Sequence, residues 1–128
     1  MVDVAKNLLA IKAQLPEGVE LTAVSKFHPD EYITAAYNVG QRIFGESHEQ
    51  ELARKAASLP KDIHWHFIGH LQTNKVKYIA PYISMIESVD SIRLLREIEK
   101  QGARCGRRIR VLLELHIAEE ATKYGLTP

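Results

Sequence analysis

Residues 21–31, LTAVSKFHPDE, combine an apolar run, a lysine at its end and a strong helix start. The apolar run favours a buried strand, which we predict over residues 19–25. Pro29 suits the first turn of a helix, and the two acidic residues after it suit the positive end of the helix dipole. The stretch therefore predicts a strand that stops at Lys26 and a helix that begins almost at once.

The same strand–helix pattern recurs along the chain with a spacing of roughly 25 residues, as in repeated β/α units. A first helix is predicted over residues 2–15. The strand over residues 19–25 is followed by predicted strands in QRIFGE (41–46), IHWHFIG (63–69), YISMIESV (82–89) and RIRVLLELHI (108–117). Strands that alternate with helices pair in parallel. The pattern predicts an α/β fold, either a doubly wound sheet or a (β/α) barrel.

The helix starts carry recognisable caps. Ser47 is predicted to cap the third helix, with Gln50 three residues later completing a capping box. Thr73 is predicted to cap a short helix, and Asp90 or Ser91 the last one, which should end near Gly102.

The chain holds too few strands to close a barrel. A closed barrel needs eight strands and about 200 residues or more, whereas this chain has 128 residues and five predicted strands. The fifth strand is so apolar that we expect it to be covered on both faces and paired on both edges. We therefore interpret residues 1–128 as a single domain that supplies about five of the eight strands of a barrel.

Composition narrows the functional classes. The chain is 45% apolar and 26% charged, with a formal net charge of +1, which gives no argument for a nucleic-acid partner. No apolar run approaches the roughly 18 residues of a membrane span, so we expect no membrane partner. The single cysteine, Cys105, excludes an intrachain disulfide and favours a reducing compartment. We predict a cytoplasmic protein.

Polar side chains follow each predicted strand, at the edge where parallel α/β folds bind ligands. Lys26 is the most informative of them. In one interpretation it reaches into solvent from a strand end. In the other it lies partly desolvated at the mouth of a barrel with a lowered pKa, and its amine forms a Schiff base with an aldehyde such as pyridoxal phosphate.

The histidines offer an alternative to the Lys26 site, namely a metal site. His64 and His66 share one face of a predicted strand, and His70 follows shortly after, so the three could be zinc ligands. Neither an HExxH nor a CxxC motif accompanies them, and a structural role at positions 64 and 66 is the simpler interpretation. His70 is the better functional candidate, because Gly69 lets the backbone come close to a site.

Several motifs resemble those of the pyridoxal phosphate homeostasis protein family. They are AVSK (23–26), FGE followed by Gln50 and Glu51, WHFIGHLQTNK (65–75), SVDS (88–91) and TKYG (122–125). They occur in the family's order and span nearly the whole chain. The resemblance implies a barrel of the alanine racemase N-terminal type, of which this chain supplies an N-terminal portion.

The resemblance also implies a function. Lys26 would form the Schiff base with pyridoxal 5'-phosphate, and the protein would take part in vitamin B6 homeostasis without a known turnover reaction. The family commonly has asparagine at the positions of Ser47 and His116, which would face the cofactor together with His70. Both replacements can still form hydrogen bonds. The family's glycine- and serine-rich segment that holds the cofactor phosphate has no counterpart in this sequence.

Two other functions stay open at this point. A pyridoxal phosphate enzyme such as an amino-acid racemase would need a proton-transferring base, for which His70 or His116 are the candidates. A non-catalytic fragment or metal-binding module would use the histidines instead. In each case the apolar fifth strand offers an edge for self-association.

Overall fold

The computed structural model describes residues 3–115, which form a five-stranded parallel sheet with helices between the strands. The strands are β1 (Ala23–Val24), β2 (Ile43–Glu46), β3 (His64–Phe67), β4 (Met85–Val89) and β5 (Arg110–Leu113). The helices are α1 (Val4–Gln14), α2 (Asp30–Asn38), α3 (Glu49–Ser58), α4 (Val76–Ile79), preceded by a 3-10 turn at Thr73–Lys75, and α5 (Ile92–Arg104). All five predicted strands and all five predicted helices are present.

The strands lie in sequence order, β1-β2-β3-β4-β5, and each pairs in parallel with its sequence neighbour. A doubly wound sheet reverses its strand order at a switch point. Since the described residues contain no such reversal, the order is that of a (β/α) barrel wound in one direction. The five strands form an arc of that barrel.

The main core lies between the helices and one face of the sheet. Alternate residues of neighbouring strands point to it, and in this layer the rings of Phe44 and Trp65 lie 5.9 Å apart. Phe67 pairs in register with Ile86, and both are buried. From the helices, Leu52 and Ile98 complete the same cluster.

The first strand is shorter than predicted, at two residues instead of seven. Gln41 explains part of the difference, because its side-chain amide donates to the carbonyls of Leu21 and Ile43 over 2.7 Å each. The Leu21 carbonyl is therefore bonded to a side chain and not to a strand neighbour. The irregular backbone before β1 needs no ladder partner at that position.

Two predicted helix starts were wrong. His48, not Ser47, takes the N-cap position of α3, and it makes no side-chain cap bond. Gln72 precedes the 3-10 turn, so Thr73 lies inside it. The last helix, α5, ends at Arg104, close to the predicted end near Gly102, and Gly106 with a φ of 64° lies in the turn that follows. The prediction for the start of α5 is confirmed, since Ser91 accepts from the Leu94 amide.

The last strand forms an open edge of the described sheet. β5 pairs with β4, and no second neighbour lies beside it within residues 3–115. Leu112 is 48% exposed and Leu113 is 53% exposed. The expectation that this strand is covered on both faces is therefore not met in the described part of the chain, because nothing there packs on its free side.

None of the helices in residues 3–115 is long and apolar enough to cross a membrane.

Candidate functional site

The carboxyl ends of the first three strands surround a cleft of about 530 Å³. It is lined by Lys26, Ser47, His48, Glu49, Ile68, Gly69, His70, Gln72 and Lys75. Three of the four residues that the sequence suggested for cofactor binding, Lys26, Ser47 and His70, thus lie around one cavity. The fourth, His116, lies outside the described residues, as does the TKYG motif.

Lys26 lies in a turn directly after β1, as its position at the end of the apolar run predicted. The residue is exposed, so the expected partial desolvation is not found. The physical reason is that β1 lies at the edge of the described sheet and nothing covers the turn from that side. The amine is accessible to a ligand in the cleft.

Gly69 brings the loop after β3 against the loop after β2. A Cβ at this position would lie 2.8 Å from both the Cβ and the backbone oxygen of Ser47, closer than real contacts allow. The Ser88 hydroxyl donates to the Gly69 carbonyl from the next strand. Ser47 thus packs on Gly69, and α3 begins only after His48.

His70 is half-exposed and faces Asp90, with 3.3 Å between the imidazole Nδ1 and the carboxylate Oδ2. A carboxylate at this distance favours a proton on Nδ1 and fixes the orientation of the ring. The residue therefore presents a defined imidazole to the cleft, held by the loop after β4. Such a ring can donate or accept a hydrogen bond according to its protonation.

Lys75 adds a second amine to the cleft, and the sequence reasoning assigned it no role. Its Nζ lies 3.6 Å from a carboxylate oxygen of Glu49. Lys26 and Lys75 thus bring two amines to the lining of the cleft, and Glu49, which also lines it, offsets part of their charge. The place of Lys75 in the WHFIGHLQTNK motif was the signal that could have indicated it.

A buried polar cluster of four residues lies beneath the Lys26 turn. It comprises Ser25, Glu46, Glu51 and Lys55, which we call the α3 cluster. Lys55 and Glu46 are fully buried, and their charged atoms lie 2.8 Å apart. One feature of the sequence could have indicated this cluster: Lys55 lies on the apolar face of α3, between Leu52 and Leu59.

The zinc alternative finds no support in residues 3–115, where no three His, Cys, Asp or Glu residues are grouped so that they could hold a metal ion. His66 Nδ1 lies 3.1 Å from a carboxylate oxygen of Glu87, on the side of β3 opposite Trp65. His64 lies 3.5 Å from the hydroxyl of Ser84. Both histidines have polar partners within the fold, as the structural interpretation expected.

No family model matches the chain. Proteins named pyridoxal phosphate homeostasis protein do match it: that of Schizosaccharomyces pombe is 40% identical over 112 residues, that of Homo sapiens 40% over 117 and that of Aquifex aeolicus 40% over 110. The matches cover 86%, 84% and 85% of this chain, and 47%, 42% and 48% of those proteins. The chain is a relative of the pyridoxal phosphate homeostasis proteins. It spans about half the length of the curated relatives it matches.

Solved structures agree with this relationship. PipY of Synechococcus elongatus without pyridoxal phosphate superimposes with a TM-score of 0.87 at 37% identity, covering 96% of this chain and 58% of PipY. The PipY structure with pyridoxal phosphate bound superimposes with a TM-score of 0.83 at 37% identity, and the match covers 92% of this chain and 57% of PipY. Alanine racemase of Streptomyces coelicolor superimposes with a TM-score of 0.75 at 22% identity, over 98% of this chain and 34% of the racemase. At this identity the likeness shows the fold alone. The prediction of a barrel of the alanine racemase type is confirmed.

Proposed function

We propose that this chain binds pyridoxal 5'-phosphate through Lys26 and takes part in vitamin B6 homeostasis. The observation that carries the proposal is an accessible lysine amine at a strand end, opening into a cleft that also holds Ser47 and His70. The relatives' names and the cofactor bound to PipY support the same assignment. We also propose a cytoplasmic location, because the single cysteine favours a reducing compartment.

The residues around the cleft fit this cofactor. Lys26 would hold the cofactor covalently through its amine, and the cofactor would supply the aldehyde for that bond, with water as the leaving group. The Ser47 hydroxyl and the His70 imidazole can form hydrogen bonds with polar groups of the cofactor, and the Lys75 amine can lie near its negative charge. His116 is proposed as a fourth contact on the strength of the resemblance alone.

We further propose that the five strands form an N-terminal part of a single barrel domain. The strand order, the open β5 edge and the share of the relatives that the chain covers support this proposal. In such a barrel, additional strands would provide further contacts to the cofactor phosphate. The chain alone is therefore expected to bind the cofactor more weakly than a closed barrel does.

The test is a titration with pyridoxal phosphate, followed by borohydride reduction and mapping of the labelled peptide. We expect a new absorbance band and a label on Lys26. The Lys26→Ala variant should lose both, whereas Lys77→Ala is the matched control, because Lys77 is exposed and does not line the cleft. Equal labelling of the wild type and Lys26→Ala would contradict the proposal.

A catalytic function has one specific observation in its favour, the His70–Asp90 pair beside the cleft. An imidazole held by a carboxylate can act as a proton-transferring base. The test is racemisation of L-alanine by the cofactor-loaded protein, measured against His70→Gln. Turnover that depends on His70 would favour an enzyme, and its absence would favour a carrier or regulator.

Self-association is the remaining part of the proposal. The free edge of β5 carries Leu112 and Leu113, about half exposed, and an unpaired apolar edge is a template for another strand. We expect the chain to form dimers or larger species whose population rises with concentration. Sedimentation at several concentrations tests this, and Leu113→Lys should shift the distribution towards monomer.

A further inference from the structure

The residue after Lys26 has an unusual backbone. Phe27 has a φ of 64°, in the left-handed region that bulky residues rarely adopt. It is 75% exposed, so burial in the core does not hold it there. Its ring has one aromatic neighbour, His48, at 5.1 Å. A strained backbone of this kind persists only where surrounding structure holds it, and such sites cluster where function requires a fixed geometry.

Helix α3 supplies the contact that holds Phe27. The Phe27 amide donates to Oε2 of Glu51 over 2.7 Å, and the same oxygen accepts from Lys55 Nζ over 2.8 Å. The second oxygen of Glu51 is buried and has no hydrogen-bond partner within residues 3–115. Burial raises the pKa of Glu51, but the bonds from Lys55 and the Phe27 amide outweigh it and lower the pKa below its usual value. The acceptor is therefore a charged carboxylate.

Lys55 holds the other side of the same turn. Its Nζ donates to the Ser25 carbonyl over 2.8 Å, and to the carboxylates of Glu46 and Glu51 over 2.8 Å each. Its side chain is fully buried, so water does not compete for these bonds. The main chain is thus tied to α3 both immediately before and immediately after Lys26. The Lys26 side chain itself is exposed.

We infer that Glu51 and Lys55 are positioning residues, which fix the backbone on both sides of Lys26 and so direct its amine towards the cleft. The inference rests on the proposed function, because it concerns how the lysine is presented to the cofactor. Neither residue lines the cleft, so they act through the turn and not by contact. Both bonds are made to main-chain atoms, so a substitution at position 27 leaves them available.

The decisive comparison is between Glu51→Ala and the double variant Glu51→Ala with Phe27→Gly. Without Glu51, Phe27 should leave the left-handed region, and we expect the apparent affinity for pyridoxal phosphate to fall at least tenfold. Glycine adopts a positive φ without strain, so the double variant should recover much of that loss. Glu51→Gln keeps an oxygen that can accept from the amide and should be affected less than Glu51→Ala.

A second readout does not require the cofactor. Amide hydrogen exchange at Phe27 in the cofactor-free protein should become at least tenfold faster in Glu51→Ala, because the amide loses its acceptor. Arg54→Ala is the matched control, since Arg54 lies on the same helix and pairs with Asp30 at the surface, away from the turn. It should change neither exchange at Phe27 nor the affinity.

Three results would overturn the inference: unchanged exchange at Phe27 in Glu51→Ala, a loss of affinity no greater than that of Arg54→Ala, or no recovery in the double variant. Failure of the proposed function has a different signature. The wild-type protein would then show no absorbance band and no label on Lys26, and the exchange rate at Phe27 would decide the inference by itself.

Discussion

Replacement of Lys55 by methionine tests how strongly the α3 cluster contributes to stability. Methionine keeps an unbranched apolar stem and removes the ammonium group. Glu46 and Lys55 are both fully buried, so the variant leaves the Glu46 carboxylate without its cation. Removing one partner of a buried ion pair costs about 3–5 kcal/mol. The Ser25 carbonyl also loses a donor.

That loss is a large share of the roughly 5–15 kcal/mol that stabilises a typical domain. Urea denaturation at pH 7, followed by the fluorescence of the single tryptophan, Trp65, measures it directly. Trp65 is buried in the core, so its emission reports global unfolding. The urea concentration at the midpoint of unfolding should fall sharply for Lys55→Met.

Two further variants make the comparison decisive. Arg54→Met removes an exposed pair on the same helix, and exposed pairs are worth about 0.2–1 kcal/mol. The double variant Lys55→Met with Glu46→Gln removes the fully buried unpaired charge. It leaves without its cation only Glu51, which is partly exposed and keeps its bond from the Phe27 amide, so the double variant should be more stable than Lys55→Met alone. The reasoning is refuted if Lys55→Met costs no more than Arg54→Met, or if the double variant recovers nothing.

Three other predictions concern single positions. Tyr82 has a buried hydroxyl with no hydrogen-bond partner within residues 3–115, and burial, with the charge of Glu49, raises its pKa to about 12. Tyr82→Phe should therefore raise stability by about 1 kcal/mol, and a lower melting temperature would contradict this. Gly69→Ala should cost about 1–3 kcal/mol by overpacking against Ser47, measurable by urea denaturation. If the free energy of unfolding were unchanged in this variant, the loops that carry Ser47 and Gly69 would be able to move apart. Because the pKa of folded Glu51 lies below its ordinary value of 4.5, its contribution to stability is complete above that value and is lost as the pH falls through the folded pKa. Urea midpoints between pH 7 and pH 3 should therefore fall less in Glu51→Gln, and parallel curves would count against the assignment.

The sheet could be predicted because its signals are local. Apolar runs bounded by proline, glycine and helix caps mark each strand, and the rule that ligands meet the carboxyl ends of parallel strands selected Lys26, Ser47 and His70. The start of α3 could not be predicted, since Ser47 has cap chemistry but is packed against Gly69 from a distant part of the chain. Contacts of that kind leave no trace in a short window of sequence.

The α3 cluster was missed for a different reason. Lysine is almost never fully buried, so a lysine on an apolar helix face is normally assigned to the edge of that face. Here Lys55 finds three oxygen acceptors from three separate segments of the chain. Only the folded arrangement brings them together, although the spacing of Glu51 and Lys55, four residues apart, was compatible with an ion pair.

The order of the strands also bears on how the chain acquires its structure. Paired residues of neighbouring strands are roughly 20–25 residues apart along the chain, from Ala23 with Phe44 to Ile86 with Val111. Each strand can therefore find its partner as soon as the intervening helix has been synthesised, without waiting for a distant segment. Shorter separations along the chain between contacting residues favour faster folding, and each pairing here stays within one β/α unit. We expect the sheet to grow unit by unit on the ribosome, with the newest strand serving each time as the template for the next.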